Sequence, residues 1–251
     1  MKVNYKKIIY TLSSVLLILL AWHIFAKIED NNFILPDIKS TFTTLFDIIG
    51  SSEFFKIVIY SFLRVLFGLT IGTALGILLA FLSHYSEFIR CLISPIISII
   101  KATPVASFIV ILWIKLDGDE IAVLIAILMV MPIIWQNVLD GYNAIDKGLS
   151  EVCTVYEFSY LKRIKLLVLP TLLRYFIPGL ITSVGLAWKA EIATEIIAYT
   201  ANSIGQQIND SKFNLDSPAV FAWTIIVIVL SVLLELGTRL LLRRCKKWVS
   251  E

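Results

Sequence analysis

The chain has 251 residues, of which 58% are hydrophobic and only 16% charged, a composition too apolar for a soluble domain of this length. Backbone polar groups must be paired internally in lipid, so its long apolar runs predict an all-α, polytopic membrane protein. The formal net charge of +3 reflects the placement of Lys and Arg around a membrane, and nucleic-acid binding is not expected. Because the polar stretches are short, we predict a single transmembrane domain over residues 1–251.

Six apolar runs are long enough to cross a bilayer, because about 30 Å of hydrocarbon requires about 20 helical residues. The first run follows three lysines, as a signal peptide would, but its apolar core is longer and no convincing small-x-small site precedes Lys27. We therefore expect an uncleaved span. The third run contains Pro95 and Pro104 and is expected to be kinked or broken. The six runs are Ile8–Ala26, Ile57–Ser83, Phe88–Ile114, Ile121–Leu139, Thr171–Tyr199 and Ala219–Leu242.

Lys and Arg residues are concentrated at the two termini and in the stretch over residues 146–174. With six spans these segments lie on the same face, and the positive-inside rule assigns that face to the cytoplasm. Cys91, Cys153 and Cys245 fall on this side, where a reducing environment keeps thiols reduced. The sequence thus predicts a multi-pass plasma-membrane protein with cytoplasmic N and C termini.

Two segments have helical patterns that suggest packing surfaces. The outer connection Glu29–Lys56 has the pattern of a short amphipathic helix at the membrane interface. In the second span, small residues recur every fourth position and form a stripe along which another helix could approach closely. That helix could belong to the same chain or to a second subunit. The stripe consists of Gly68, Gly72, Gly76 and Ala80.

Several charged residues fall within the predicted spans, where each costs roughly 3 kcal/mol or more at mid-depth. On a helix Trp188, Glu191 and Glu195 share one face, whereas Lys189 points about 100° away. These side chains could line a pathway or form ion pairs between helices, for instance Lys101 with Glu191 or Glu195. A cation such as Lys101 or Lys189 would suit an anionic solute. The candidate pathway residues are Lys101, Pro104, Trp188, Lys189, Glu191 and Glu195.

A polar stretch over residues 146–165 is too charged to span the membrane. Its periodicity predicts a short amphipathic helix lying across the inner surface, followed by Pro170 at the start of the fifth span. Such a helix could rest on lipid, pack against the protein, or dock a partner. The side chains at helical spacing are Leu149, Val152, Val155, Tyr156 and Ser159.

The sequence contains no catalytic signature. It lacks the G-x-x-x-x-G-K-[ST] pattern of a P-loop, and it has neither HExxH nor GxSxG. We therefore expect no enzymatic activity, no cofactor and no metal site in this chain.

The polar stretch resembles the "EAA" loop of permeases in binding-protein-dependent ABC importers, which begins Glu-Ala-Ala and ends Leu-Pro. Glu151 matches the Glu, and Leu169-Pro170 matches the end at the family's spacing. The similarity covers roughly residues 10–245 and is greatest to the sulfonate/nitrate/taurine type. It extends to Ile34-Leu35-Pro36, the glycine-striped SFLRVLFGLTIGTALG (Ser61–Gly76), Ile100–Pro104, and SVGLAWKAEIATEI (Ser183–Ile196).

The chain departs from this pattern where Val152-Cys153 replaces Ala-Ala and Glu157 replaces the family's Gly. Gly would permit a sharp turn between two short helices. Because Glu is strained at positive φ, we expect a reshaped turn or a continuous helix. The resemblance implies an EAA-like coupling loop over residues 146–170. Its ATPase-coupling residues would be Glu151, Val152, Cys153, Val155, Tyr156, Glu157, Leu169 and Pro170.

The resemblance implies the type I ABC importer permease fold and a transport function. Two copies would form the pathway as a homodimer, two cytosolic ATPase subunits would dock near Glu151, and an extracytoplasmic binding protein would deliver a small, anionic or polar solute. Two other classes remain open from the residues alone. They are a channel or secondary transporter that works without an ATPase, and a membrane scaffold that transports nothing.

Overall fold

The computed structural model describes residues 5–29 and 31–250, with side chains for residues 9, 10, 13–29 and 31–242. All regular structure within these residues is helical, which confirms the predicted all-α fold. The elements in chain order are α1 (Tyr5–Glu29), α2 (Ile38–Gly50), α3 (Phe54–Tyr85), α4 (Glu87–Ala102), α5 (Val105–Leu112), α6 (Gly118–Asn143), α7 (Lys147–Val155), α8 (Tyr160–Arg163), a π-helical turn (Ile164–Val168), α9 (Leu169–Ile197), α10 (Ile204–Phe213) and α11 (Ser217–Ser250).

Four helical stretches among the described residues are long and apolar enough to cross a membrane, or five if the bent pair α4–α5 is one span. The predicted first span, Ile8–Ala26, falls in α1, but the side chains of residues 8, 11 and 12 lie outside the described residues. The count of six spans therefore stays a prediction. The four stretches are Phe54–Tyr85, Gly118–Asn143, Tyr160–Ile197 and Ser217–Leu242.

The predicted third span is broken into two helices. Helices α4 and α5 are bent by 96° at a break between Ala102 and Val105. Pro104 cannot donate a backbone hydrogen bond, and it disfavours a helical conformation at the preceding Thr103, so the break falls here. Pro95, by contrast, lies inside α4.

The fifth span begins earlier than the sequence predicted. The predicted helix over residues 146–165 ends at Val155, and a new helix starts at Tyr160 and runs on to Ile197. Pro170 therefore lies within a longer stretch instead of opening it. A π-helical turn just before it provides a widened hydrogen bond from the Leu169 N–H to the Ile164 carbonyl, so the chain passes into α9.

The chain divides into two compact units, each described here by itself. The first comprises residues 1–56 and 207–228. In it the Trp22 ring stacks on Phe221 with centroids 5.6 Å apart, and its Nε1 donates to the Pro36 carbonyl at 3.0 Å. Phe54 and Trp223 also stack, with centroids 6.2 Å apart. Aromatic contacts thus hold this unit together.

Helix α2 occupies the segment for which an amphipathic helix was predicted. The Asp37 side chain caps its N terminus by accepting a hydrogen bond from the Ser40 N–H at 3.2 Å. Hydrogen bonding to the Ser40 side chain and backbone holds the pKa of Asp37 below its ordinary value. Leu45 is buried, whereas Phe46 on the same helix is exposed.

The second unit comprises residues 57–206 and 229–251. Its core forms where α5, α6 and α9 meet, because each contributes an apolar face to the contact. Helices α6 and α9 also approach closely elsewhere, since a Cβ built on Gly179 would lie 2.9 Å from the Asn137 Cβ. The buried residues of the core are Ile109, Ile121, Ile125, Ala190 and Ala198.

Candidate functional site

The small-residue stripe of α3 lies against α6 of the same chain. A Cβ built on Gly68 would lie 2.3 Å from the Ala126 Cβ, closer than real Cβ atoms approach. Gly72 and Gly76 would place theirs 2.9 Å and 2.8 Å from Cβ atoms of α6. Ala80, the last member, is fully buried. Of the two alternatives for this stripe, the structure shows packing within the chain.

A sharp turn follows α7, contrary to the reshaped turn or continuous helix expected from Glu157. Glu157 adopts a φ of 49°, in the left-handed region. The Phe158 N–H donates to the Cys153 carbonyl at 2.9 Å, and the Glu157 N–H to the Thr154 carbonyl at 3.1 Å. These two bonds form a Schellman motif, whose left-handed position is usually Gly. The motif therefore forms despite the steric cost of a Glu side chain.

Residues 147–163, here called the α7–α8 elbow, are tied together by side chains as well. Asp146 caps α7 by accepting from the Leu149 N–H at 3.0 Å. Across the turn, Arg163 of α8 donates to the Ser150 hydroxyl of α7. The Lys162 ammonium lies 4.0 Å from the centroid of the Phe158 ring. These contacts fix the angle at which the two helices meet.

The elbow exposes most of its predicted coupling residues. Val155 and Tyr156 are 78% and 73% exposed, and Glu151 and Val152 are also exposed. Cys153, on the same helix, is buried. Leu169 is exposed and Pro170 half-buried, further along the chain. An exposed apolar surface between charged residues has the composition of a docking surface.

Arg64 is the centre of a buried ionic group at the other end of the bundle. Its guanidinium lies 2.7 Å from Asp119 at the start of α6 and 3.2 Å from Glu195 near the end of α9. It also donates to the Ala201 carbonyl at 2.9 Å. Arg64 and Glu195 are buried, while the Asp119 side chain is 70% exposed. We refer to these four residues as the Arg64 cluster.

Side chains of α3 and α9 also cap the N terminus of α10. The Glu195 carboxylate accepts from the Gly205 N–H at 3.1 Å, and the Ser61 hydroxyl of α3 accepts from the Ile204 N–H at 3.2 Å. The Ser203 hydroxyl accepts from the next amide, that of Gln206, at 2.9 Å. Amides at a helix start have no partner within the helix, so these contacts satisfy them. Glu195 therefore serves both the ion pair and the cap.

A groove of about 560 Å³ borders the Arg64 cluster. The connections from α5 to α6 and after α9 line it, with residues 113–119 on one side and 198–201 on the other. Lys115, Asp117 and Asp119 give the groove side chains of both charges. It can therefore receive a polar surface or a polar solute.

The ion pair that the sequence suggested for Glu195 exists, but with a different cation. Its partner is Arg64, not Lys101. Lys101, at the end of α4, and Lys189, on α9, are both exposed. Neither takes part in an ion pair within the part of the chain that the structure describes. Pro104, between α4 and α5, is exposed as well.

Trp188, Glu191 and Glu195 share one buried face of α9, as their spacing predicted. Trp188 is 1% exposed and both glutamates are fully buried. Neither carboxyl oxygen of Glu191 has a hydrogen-bond partner among the described residues. These three side chains are thus enclosed by the bundle in this conformation, whereas Lys189 points outward.

Asp119 was not singled out from the sequence, although it belongs to the Arg64 cluster. It lies in the first turn of α6, where acidic residues are common because they complement the helix dipole. An acidic residue at that position therefore gave no reason to expect the ion pair with Arg64. The available signal was Arg64 itself, which falls on the same face of α3 as Gly68 and so had to meet a carboxylate inside the bundle.

Comparison with known proteins identifies the family. Residues 72–247 match the model of the binding-protein-dependent transport system inner membrane component. The chain is 28% identical over 217 residues to the putative aliphatic sulfonates transport permease protein SsuC of Bacillus subtilis (strain 168), covering 86% of this chain and 78% of that protein. It is 25% identical to the taurine transport system permease protein TauC of Escherichia coli (strain K12), covering 78% and 68% respectively.

A solved structure supports the fold. The chain resembles one chain in the crystal structure of an amino acid ABC transporter with histidines, with a TM-score of 0.61 and 16% identity, covering 78% of this chain and 92% of that one. The match of the family model spans most of the sequence. The chain therefore belongs to the binding-protein-dependent transport system inner membrane component family, as a non-enzymatic permease subunit of an ATP-driven ABC importer of the sulfonate, nitrate and taurine type.

Proposed function

We propose that two copies of this chain form the translocation pathway for a small anionic solute, each copy acting as one permease domain over residues 1–251. The exposed apolar surface of the α7–α8 elbow carries the proposal, because it lies where the EAA-like motif occurs. The relatives' names support an anionic solute, since they specify sulfonates, taurine and nitrate. Two ATPase subunits and an extracytoplasmic binding protein complete the assembly.

The elbow is the proposed docking site for the ATPase. Glu151, Val152, Val155 and Tyr156 are exposed and would contact it directly. Buried Cys153 would support the contact by packing, and exposed Glu157 would set the turn. Leu169 and Pro170 would transmit the displacement into α9. When ATP closes the two ATPase subunits, the docked elbows move together and open the pathway to the outside, and hydrolysis resets them.

The proposed pathway is lined by Lys101, Lys189 and the exposed break at Pro104. Lys101 and Lys189 present cations on exposed surfaces, where an anion could meet them. Trp188, Glu191 and Glu195 are enclosed in this conformation. They would contribute behind the pathway surface by holding α9 in place, rather than by contacting the solute.

The test uses the complete transporter reconstituted in vesicles with its ATPase and binding protein. We expect Lys101→Met and Lys189→Met each to reduce ATP-dependent uptake at least about tenfold, because an interaction with a charged group is worth about 1.5–3 kcal/mol. Lys212→Met, at the end of the polar helix α10, is the matched control and should leave uptake unchanged. Normal uptake in both test variants would remove these lysines from the pathway. Failure of the wild-type chain to co-purify with an ATPase would contradict the proposal as a whole.

The proposed orientation places the elbow in the cytoplasm. Cys91 is exposed, whereas Cys153 is buried, so Cys91 is the better reporter. With Cys91 as the sole cysteine, an impermeant thiol reagent should label inside-out vesicles and spare intact cells. A Ser52→Cys variant, between α2 and α3, should show the opposite pattern. Labelling of Cys91 in intact cells would reverse the orientation and remove the elbow from the ATPase.

A further inference from the structure

Glu191 differs from every other charged residue described in the bundle core because it is enclosed without a counter-charge of its own. It lies on α9, one helical turn from Glu195, and is fully buried. Neither of its carboxyl oxygens accepts or donates a hydrogen bond within the described structure. An ionised carboxylate is rarely enclosed in this way, because removing the charge from water is costly unless pairing and hydrogen bonds replace hydration.

The cation whose charge acts on Glu191 is already engaged. Arg64 on α3 contacts both Asp119 of α6 and Glu195 of α9, and its remaining described contact is the Ala201 carbonyl. One guanidinium thus serves two carboxylates, which gives the Arg64 cluster a net charge of −1. An ionised Glu191 would add a second uncompensated negative charge next to Glu195.

Among the described residues, Arg64 is the cation whose charge acts on Glu191. Charges that act on it come from Glu195 on its own helix, Arg64 on α3 and Asp119 on α6. Helix α5, which also packs against α9, contains no titratable residue. Lys189, two residues earlier on α9, is exposed on a different face.

We infer that Glu191 is a proton-binding site, which holds a proton in this packed conformation and releases it when α9 moves so that the carboxyl meets water. The proton leaves the carboxyl oxygen for solvent and leaves a carboxylate behind, so no co-reactant is needed. The inference concerns the packed bundle and does not depend on the identity of the solute or on ATPase docking. It predicts that packing around α9 becomes less stable as pH rises.

The sign of the effect follows from linkage. An unfolded chain releases the Glu proton at mildly acidic pH, whereas the packed bundle retains it, so the folded state binds more protons and its stability falls with rising pH. One retained proton corresponds to a fall in Tm of about 3 °C per pH unit for a chain of this size. Other groups also titrate, so the informative quantity is the difference from a variant that cannot ionise.

The experiment measures Tm of the assembled transporter in detergent between pH 5.5 and 8. In Glu191→Gln the fall in Tm with pH should be smaller than in the wild type by about 3 °C per pH unit, and the variant should be the more stable of the two at pH 8. Glu195→Gln is the matched control at the neighbouring turn. It should lower Tm at every pH, because it removes a partner of Arg64.

Two outcomes would overturn the inference. One is a pH dependence in Glu191→Gln equal to that of the wild type. The other is a lower Tm in Glu191→Gln at every pH, which would mean that an ionised Glu191 has a stabilising partner. Glu191→Met provides a second neutral replacement of similar length. If neither Gln nor Met allows assembly, a neutral side chain is not tolerated and the proton-bound state is excluded.

Discussion

The α7–α8 elbow exposes apolar side chains, whereas the Arg64 cluster encloses the charges of Arg64 and Glu195. Val155 is 78% exposed in the elbow, while Glu195 is fully buried in the cluster. In the elbow, backbone hydrogen bonds and side-chain contacts define the shape and leave the apolar surface exposed. In the cluster, side chains from three helices use their polar atoms on one another. The elbow thus leaves an apolar surface exposed, whereas the polar atoms of the Arg64 cluster are paired within the chain.

The largest expected effect comes from removing the cation of the cluster. Arg64→Met leaves buried Glu195 without its counter-charge and should lower the free energy of unfolding by about 3–5 kcal/mol. Arg239→Met is the matched control, since Arg239 pairs with Glu235 on an exposed helical surface and is worth less than about 1 kcal/mol. Thermal unfolding of the purified permease measures both. Equal losses of unfolding free energy in the two variants would show that burial of the cluster adds nothing to the contribution of its ion pairs to stability.

A charge on the exposed surface of the elbow should act on association and not on folding. Val155→Asp places a carboxylate in the proposed ATPase contact and should weaken ATPase binding at least about tenfold, since desolvating an unpaired charge at an interface costs several kcal/mol. Its Tm should stay within about 2 °C of wild type, because exposed positions contribute little to stability. Glu151→Lys should weaken binding in the same direction.

Pulldown of the ATPase by the purified permease measures this effect. Phe213→Asp is the control, because it introduces the same charge at an apolar residue with 71% exposure on a different helix. Full retention of the ATPase by both Val155→Asp and Glu151→Lys would show that the elbow is not the docking surface.

The smallest expected effect concerns the left-handed position within the elbow. Glu157→Val should destabilise the turn by about 1 kcal/mol, because a β-branched side chain is strained further at positive φ. Glu157→Gly should change stability by no more than about 0.5 kcal/mol, since relief of strain is offset by the greater chain entropy of Gly. Coupled ATPase activity should fall in the Val variant and persist in the Gly variant.

The control for this pair is Thr154→Val, an exposed position within α7 at ordinary helical φ. A loss in Thr154→Val as large as that in Glu157→Val would assign the effect to the side chain and not to the backbone. Comparison of the two would then separate the shape of the elbow from its surface.

The sequence predicted the all-α fold and a short helix at the place of α7, because both follow from local patterns. Apolar runs, prolines and the Glu151 to Leu169-Pro170 spacing are visible without a structure. The conformation of Glu157 was predicted incorrectly, since a side-chain preference of about 1 kcal/mol was outweighed by two backbone hydrogen bonds in the Schellman motif. The conformational preference of one side chain decides a turn only when backbone hydrogen bonds do not already determine it.

The pairing inside the cluster could not be predicted from one sequence. Arg64 and Glu195 are 131 residues apart, and nothing local distinguishes Arg64 from Lys101 as the partner of Glu195. The cost of burying a charge predicted that Glu195 needs a cationic partner, and the structure shows one. The choice of cation depends on which helices become neighbours, and the packing of Gly68 against Ala126 brings α3, with Arg64, beside α6.

One continuous helical stretch, from Tyr160 to Ile197, connects the elbow with the Arg64 cluster. Its 38 residues correspond to a rod of about 57 Å, nearly twice the thickness of the hydrocarbon layer. The elbow lies at one end and Glu195 near the other, with no loop between them to absorb a displacement. A displacement at the elbow would therefore reach Glu195 and the contacts of Arg64 along one helical stretch, with the π-helical turn and Pro178 as the places where that stretch can bend.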